Sequence, residues 1–316
     1  MTAQPDPEFA QHLRLVAKAV LKGSVVPVLG AGANLCDRAP DEPWTRGSNL
    51  PNGPELSLLL ADEFDCDVAD RADLVRVSQY AELTTGEGPL YAQLREVFVQ
   101  DCPIPSLHRA LAALPGWMAS NGRPLRPQLI VTTNYDDLVE RALREADVEF
   151  DLVRYVAKGP RRGLFVHEQP DGTETLIAVP NEYDAVDPKQ RTVVLKIHGT
   201  IDRDDEREDS YVITEDHYIE YLTRTNPSEL IPIKVLDKLV NSHFLFLGYG
   251  LRDWNLRVIL HRIWALRELG WTSWAVQDEV DRLDEKLWLT RQVELHQCRL
   301  GNYVRALSST LEDVVA

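Results

Sequence analysis

A short apolar run, Val25-Val26-Pro27-Val28-Leu29, breaks into Gly30-Ala31-Gly32-Ala33-Asn34. This is the form of a buried strand ending in a tight turn. Glycine serves such a turn in two ways: it reaches backbone angles closed to other residues, and it lets a phosphate group approach the amides. Taken alone, a Gly-x-Gly after a strand is weak, because glycine ends many strands for structural reasons. Pro27 is an irregularity, since proline removes a ladder donor and belongs on edges or bulges. Upstream, Phe9, Leu13, Val16, Ala17, Val20 and Leu21 recur at helical spacing, so a helix over 9–21 feeds the strand.

The pattern then repeats along the chain. Further short apolar strands are expected at 129–132, 193–197, 243–247 and 272–276, with a last one near 293–295. Helical spacing fills 138–146, 219–222, 233–240, 253–269 and 303–315. Short apolar strands alternating with helices predict an α/β fold, a Rossmann-like, mostly parallel sheet with helices on both faces. Residues 36–54 form a long Pro-, Gly- and Asp-rich loop, followed by helical patterns at 55–63, 74–84, 90–98 and 107–114. The stretch 36–120 is therefore a helical insertion, and 150–192 a small β-rich excursion. The expectation is one domain over 1–316, its core formed by 9–35 and 125–316.

Charge and cysteine usage narrow the function. Fifty acidic residues against 34 basic ones give a formal charge of −16, which repels a phosphate backbone and argues against direct nucleic-acid binding. Cys36, Cys66, Cys102 and Cys298 form no Cys-x-x-Cys pair, so no zinc module and no metal are expected. No stretch resembles a signal peptide, and none approaches the ~18 apolar residues of a membrane span, so a cytoplasmic protein is expected. The acidic segment 202–209 reads as a solvated surface loop.

Four strand ends carry polar or glycine-rich turns: Gly30-Ala31-Gly32-Ala33-Asn34, Thr132-Thr133-Asn134-Tyr135-Asp136, Lys196-Ile197-His198-Gly199, and Gly248-Tyr249-Gly250-Leu251-Arg252-Asp253. In a parallel sheet the carboxyl ends of all strands open onto one edge, where ligands bind. Turns far apart in sequence therefore converge on one crevice.

This set of turns resembles the sirtuin superfamily, in which a Gly-Ala-Gly turn binds the NAD pyrophosphate, a Thr-Gln-Asn-(Ile/Val)-Asp turn holds the nicotinamide ribose, and a His-Gly supplies the catalytic histidine. Here Thr133 replaces the glutamine, the zinc module's cysteine pairs are absent, and Gly248-Tyr249-Gly250-Leu251-Arg252-Asp253-Trp254-Asn255 replaces the usual Gly-Thr-Ser turn. These departures, with Leu50-Pro51, Ser78-Gln79-Tyr80 and Ile213-Thr214-Glu215-Asp216, are similar to the bacterial sirtuin-like NAD hydrolases of anti-phage defence. The resemblance implies NAD as substrate, no metal, and an effector depleting NAD as a homo-oligomer or under a separately encoded activator such as an ATPase or Argonaute-like protein. The alternatives are an NAD-dependent deacylase or ADP-ribosyltransferase, or a non-catalytic sensor of NAD or ADP-ribose.

The residues fit cleavage of a glycosidic bond. Asn134 offers both donor and acceptor to a water or a ribose hydroxyl. His198, with an ordinary pKa near ~6.5, can take a proton. Asp136 completes the catalytic set, on the nicotinamide or ribose side. Gly30, Ala31 and Gly32 are candidates for the pyrophosphate, and Gly248, Tyr249, Gly250, Asp253 and Asn255 for the adenosine end. Asn34, Thr132, Thr133 and Gly199 complete the cofactor-binding set. Asn134 has a second possible role as the cap of the helix that follows it.

Overall fold

The computed structural model describes residues 6–223, 230–250, 254–266 and 270–315, apart from the side chains of Leu222, Trp254, Asn255 and Leu256. The strand β1 (Val25–Leu29) lies inside a nine-stranded sheet. On one side follow β2 (Leu129–Thr132), β6 (Thr192–Lys196) and β3 (Phe150–Tyr155); on the other lie β9 (His243–Leu247), β10 (Ser273–Gln277) and β11 (Val293–Gln297). All of these pairings are parallel. The 150–192 excursion joins the same sheet, because β3 pairs with β6. Beyond β3, β4 (Phe165–Glu168) and β5 (Glu174–Ile177) close the edge antiparallel.

Side-chain alternation divides the core into two layers. Val25, Leu29, Ile130, Val194, Leu245 and Leu247 face one cluster; Val26, Val28, Leu129, Val131, Phe244 and Phe246 face the other. The first layer is covered by α1 (Pro7–Leu21), the insertion helices α2 (Gly53–Glu63), α3 (Leu74–Thr85), α4 (Glu87–Phe98) and α5 (Ser106–Ser120), α6 (Leu138–Glu145) and α11 (Leu300–Val315). The second is covered by α7 (Glu215–Thr223), α8 (Ile233–Val240), α9 (Trp254–Ala265) and α10 (Arg282–Leu289). Each buried Val or Leu contributes roughly 1.5–3 kcal/mol, which is why strands this short can hold the sheet. Helices on both faces of a mostly parallel sheet are the architecture expected from the sequence. Among the described residues, no helix is long and apolar enough to cross a membrane.

Pro27 sits in a central strand rather than at an edge. The bonds from Gly30 N to Leu247 O and from His243 N to Ser24 O turn the even-numbered amides of β1 toward β9. The position of Pro27 therefore faces β2, whose pairing with β1 begins only at Val28. The missing donor falls just outside the ladder.

Two helices differ from their sequence pattern. α5 continues through a buried Pro115 to Ser120. α10, in a charged segment with no apolar period, is set by its cap: Asp281 accepts from the amides of Leu283 and Asp284. The acidic segment 202–209 is also not a solvated loop throughout. Asp209 is 2% exposed and binds Arg95 of α4 at 2.9 Å, while Arg203 clasps Asp137 at 2.5 Å. Its carboxylates are partners for guanidinium groups from the insertion and from the segment itself, which a count of charges does not reveal.

Candidate functional site

The chain leaves β1 for β2 on one side and returns at β9 on the other, so the sheet has its switch point beside β1. A cavity of about 1160 Å³ opens there, at the carboxyl ends of β1, β2, β6, β9 and β10. The four turns do converge. Gly30, Ala31, Gly32 and Asn34 line the cavity from β1; Thr133, Asn134 and Asp136 from β2; His198 from β6; Gly248, Tyr249 and Gly250 from β9.

The glycines of the first turn are there for packing. Gly30 has an extended backbone, φ −117° and ψ −179°, open to any residue. A Cβ on it would lie 2.7 Å from Tyr249 Cα, and one on Gly32 would lie 2.7 Å from Gly248 O. The Gly30 and Gly32 amides donate to Leu247 O and Gly248 O. The β1 and β9 turns are thus pressed together, and the two glycine amides are engaged within the protein. That corrects the expectation that all three amides of the turn face a ligand; Ala31, at the start of a short 3-10 helix, Ala31–Leu35, is the one not so engaged among the described residues. Left-handed backbone occurs instead at Gly248 (φ +61°) and Gly199 (φ +89°).

Asn134 is buried, its main-chain amide held by Thr132 Oγ1 at 3.0 Å and its Nδ2 by Gly30 O at 3.2 Å. Its amide oxygen remains for a ligand. The N-cap of α6 is Asp137, which makes no side-chain cap bond; Asp136, one residue before it, accepts from Leu138 N through Oδ1 at 3.1 Å. Asp136 Oδ2 accepts from Asn34 Nδ2 at 2.8 Å. Both carboxylate oxygens therefore serve the protein, and Asp136 orients Asn34, whose Oδ1 is buried without a partner. An orphaned acceptor in a polar cavity suits a hydroxyl-bearing ligand. His198 is 2% exposed and packs edge-on against Tyr218, ring centres 5.4 Å apart.

Two candidates do not line the cavity. Thr132 is buried beneath Asn134, and Gly199 is pressed on Ser210, whose carbonyl oxygen would lie 2.1 Å from an added Cβ. Asp253 lies outside the described residues, and Asn255 stands in the first turn of α9. The sequence reading missed the far wall, made by residues 36–40 and 51–54 and by the start of α11. There Arg299 donates to Arg38 O and Arg305 to Asn302, and neither has an ion pair among the described residues. The length of the 36–54 loop was a signal for the first part; nothing periodic marked the second.

Among the described residues, one other group has ligand spacing. His12, Glu294 and His296 lie on α1 and β11, outside the cavity wall, with ligand atoms within 4.8 Å of one another. The two imidazoles stack face to face, centres 3.5 Å apart and planes 24° apart, which sets their in-plane lone pairs side by side rather than onto one ion.

Fold and crevice together define an α/β protein of the Rossmann-like class with its site at the switch point of the sheet. The chain belongs to the SIR2-like domain family, whose model matches residues 128–296. It is 29% identical over 259 residues to the NAD(+) hydrolase ThsA of Enterococcus faecium, covering 81% of this chain and 43% of that protein. It is 30% identical over 220 residues to the NAD(+) hydrolase ThsA of Acinetobacter baumannii (strain 532279), covering 67% and 36%. Defense-associated sirtuin 2 of Bacillus subtilis is 20% identical over 269 residues, covering 83% and 21%. The chain thus spans less than half the length of these relatives.

Proposed function

We propose that this chain is an NAD hydrolase that breaks the bond between nicotinamide and ribose, giving nicotinamide and ADP-ribose. The observation that carries this reading is the meeting of Asn134 and His198 in one cavity beside the β1 turn. Relatives that bear the name NAD(+) hydrolase support it.

In this reaction nicotinamide leaves with the bonding electron pair, the ribose C1′ takes on oxocarbenium character, and water adds to it. The water must lose a proton as the new C–O bond forms, and His198 is the group assigned to take it. Asn134, fixed through Nδ2 on Gly30 O, presents its amide oxygen to that water or to a ribose hydroxyl. Asp136 acts through Asn34 and is a positioning residue. With the Gly30 and Gly32 amides engaged, the Ala31 amide and the guanidinium groups of Arg299 and Arg305 are the donors assigned to the phosphates. Gly248, Tyr249 and Gly250, with Asp253 and Asn255, are assigned to the adenosine end. The stretches 9–35 and 125–316, with the insertion 36–120, are read as one NAD-binding domain. In the cell, the proposal is an effector that depletes NAD during phage infection, governed by self-assembly or a separately encoded activator; the relative named as a defence-associated sirtuin supports this.

The test is NAD turnover by the purified chain, alone and with the products of neighbouring genes, with nicotinamide and ADP-ribose followed by chromatography. Equal amounts of both products are expected without any acceptor. His198→Ala and Asn134→Ala should each slow the loss by about 100-fold or more while leaving the thermal midpoint near that of the parent. Wild-type rates in both variants would overturn the site. Consumption strictly dependent on an acylated peptide would replace hydrolysis with deacylation.

A further inference from the structure

Lys196, two residues before His198, is completely buried and does not line the cavity. Its Nζ points into the turn that carries Asn134. It donates to the main-chain oxygen of Asp136 and, at 2.8 Å, to Glu140 Oε1, with Tyr135 O 3.5 Å away. Glu140, from α6, is 2% exposed; its second oxygen is buried without a partner, and burial pushes its carboxyl pKa up.

Such a pair is a poor device for stability. Taking both charges out of water offsets most of their attraction, and two apolar side chains would fill the same space. Its placement is more informative. Ile197 N donates to Thr132 O on one side of Asn134, and Ile201 N donates to Tyr135 O on the other, at 3.1 and 2.8 Å. Lys196 adds a third tie, to Asp136 O. The segment bearing His198 therefore grips the segment bearing Asn134 on both flanks, and Glu140 holds the lysine in place for that grip.

We infer that the Lys196–Glu140 pair positions the Asn134 turn against His198 for NAD cleavage. This rests on the hydrolase reading of the site. Neither residue touches substrate; both act through the backbone of the turn. A displacement of about 1 Å between reacting groups is enough to slow a reaction by ~100-fold.

The test is the double variant Lys196→Met/Glu140→Met, which removes both charges and strands neither. Two readouts are taken: kcat and KM for NAD, and hydrogen exchange at the amides of Asn134 and Leu138, which bond within the turn to Thr132 Oγ1 and Asp136 Oδ1. The expected result is a kcat lowered by about 10–100-fold with KM within about 3-fold, and exchange at these amides at least ~10-fold faster, while β9 exchanges as before. Turnover and turn exchange both at parental levels would overturn the inference. A parent chain that consumes no NAD under any condition would sink the hydrolase reading instead, and the exchange rates would still decide whether the pair holds the turn. Lys196→Met alone leaves Glu140 buried and unpaired, and is expected to lose more stability than the double variant.

Discussion

At Gly199 two demands coincide, and neither can be met by a larger residue. Its φ of +89° is one that side chains rarely adopt, and an added Cβ would meet Ser210 O at 2.1 Å. Gly88, by contrast, sits inside α4 with ordinary angles and nothing within 4 Å of an added Cβ. Gly199→Ala should therefore destabilise the chain by several kcal/mol or prevent folding, while Gly88→Ala should stabilise it by about 0.4–1 kcal/mol through the unfolded state. Thermal midpoints of both variants check this; equal midpoints would refute it. The same contrast explains what sequence could reveal of the first turn. That glycine stands at 30 and 32 was plain, but not why, because the crowding neighbours are Gly248 and Tyr249, far along the chain. A phosphate-facing glycine and one pressed on a neighbouring strand look alike in sequence.

Among elements, the strands were legible because each is an apolar run too short to be anything else, and their ends located Asn134, His198 and the β9 turn. The far wall of the cavity was not. It depends on the start of α11 packing against the end of the 3-10 helix, where a Cβ on Gly301 would lie 2.5 Å from Cys36 O. Two segments that meet only after the whole sheet has formed leave no local period. The acidic segment 202–209 failed for a related reason: its partners include Arg95 from α4, Asp137 beside α6 and Arg161 from the 150–192 excursion. Asp209 accepts from Arg95 Nη1 at 2.9 Å and from Asp202 N at 2.8 Å. Asp209→Ala should cost about 3 kcal/mol, toward the low end for breaking a buried pair because Arg95 keeps some of its surface in water. Exposed Asp204, in the same segment, should tolerate alanine within about 0.5 kcal/mol. Denaturant midpoints of the two variants separate these outcomes; similar small losses would restore the solvated-loop reading.

For the whole molecule, buried histidines set the response to acid. His12 is lowered to about 3, chiefly by burial and also by His296, and His217 is lowered to about 4, chiefly by burial. Burial lowers His108 and His296 in the same direction. A base whose pKa is depressed in the fold stays neutral there while the unfolded chain takes up its proton. The stability it contributes is therefore complete above the unfolded value near 6.5, and is lost as pH falls from there toward the folded value. A histidine lowered from 6.5 to about 4 accounts for a loss on the order of 3 kcal/mol across that window. The raised carboxyls of Glu82, Glu140 and Glu168 work the other way, because the fold takes up those protons first. They return part of the loss as pH falls from their raised values to the ordinary carboxylate range, an interval that overlaps the histidine window; four lowered histidines against these three carboxyls leave a net loss. The thermal midpoint should thus fall steadily between about pH 6.5 and pH 4.5, before most carboxylates titrate. His217→Gln, which removes one of these bases, should flatten that slope. A midpoint unchanged across this interval in the parent chain would mean that the histidines are not held neutral by the fold.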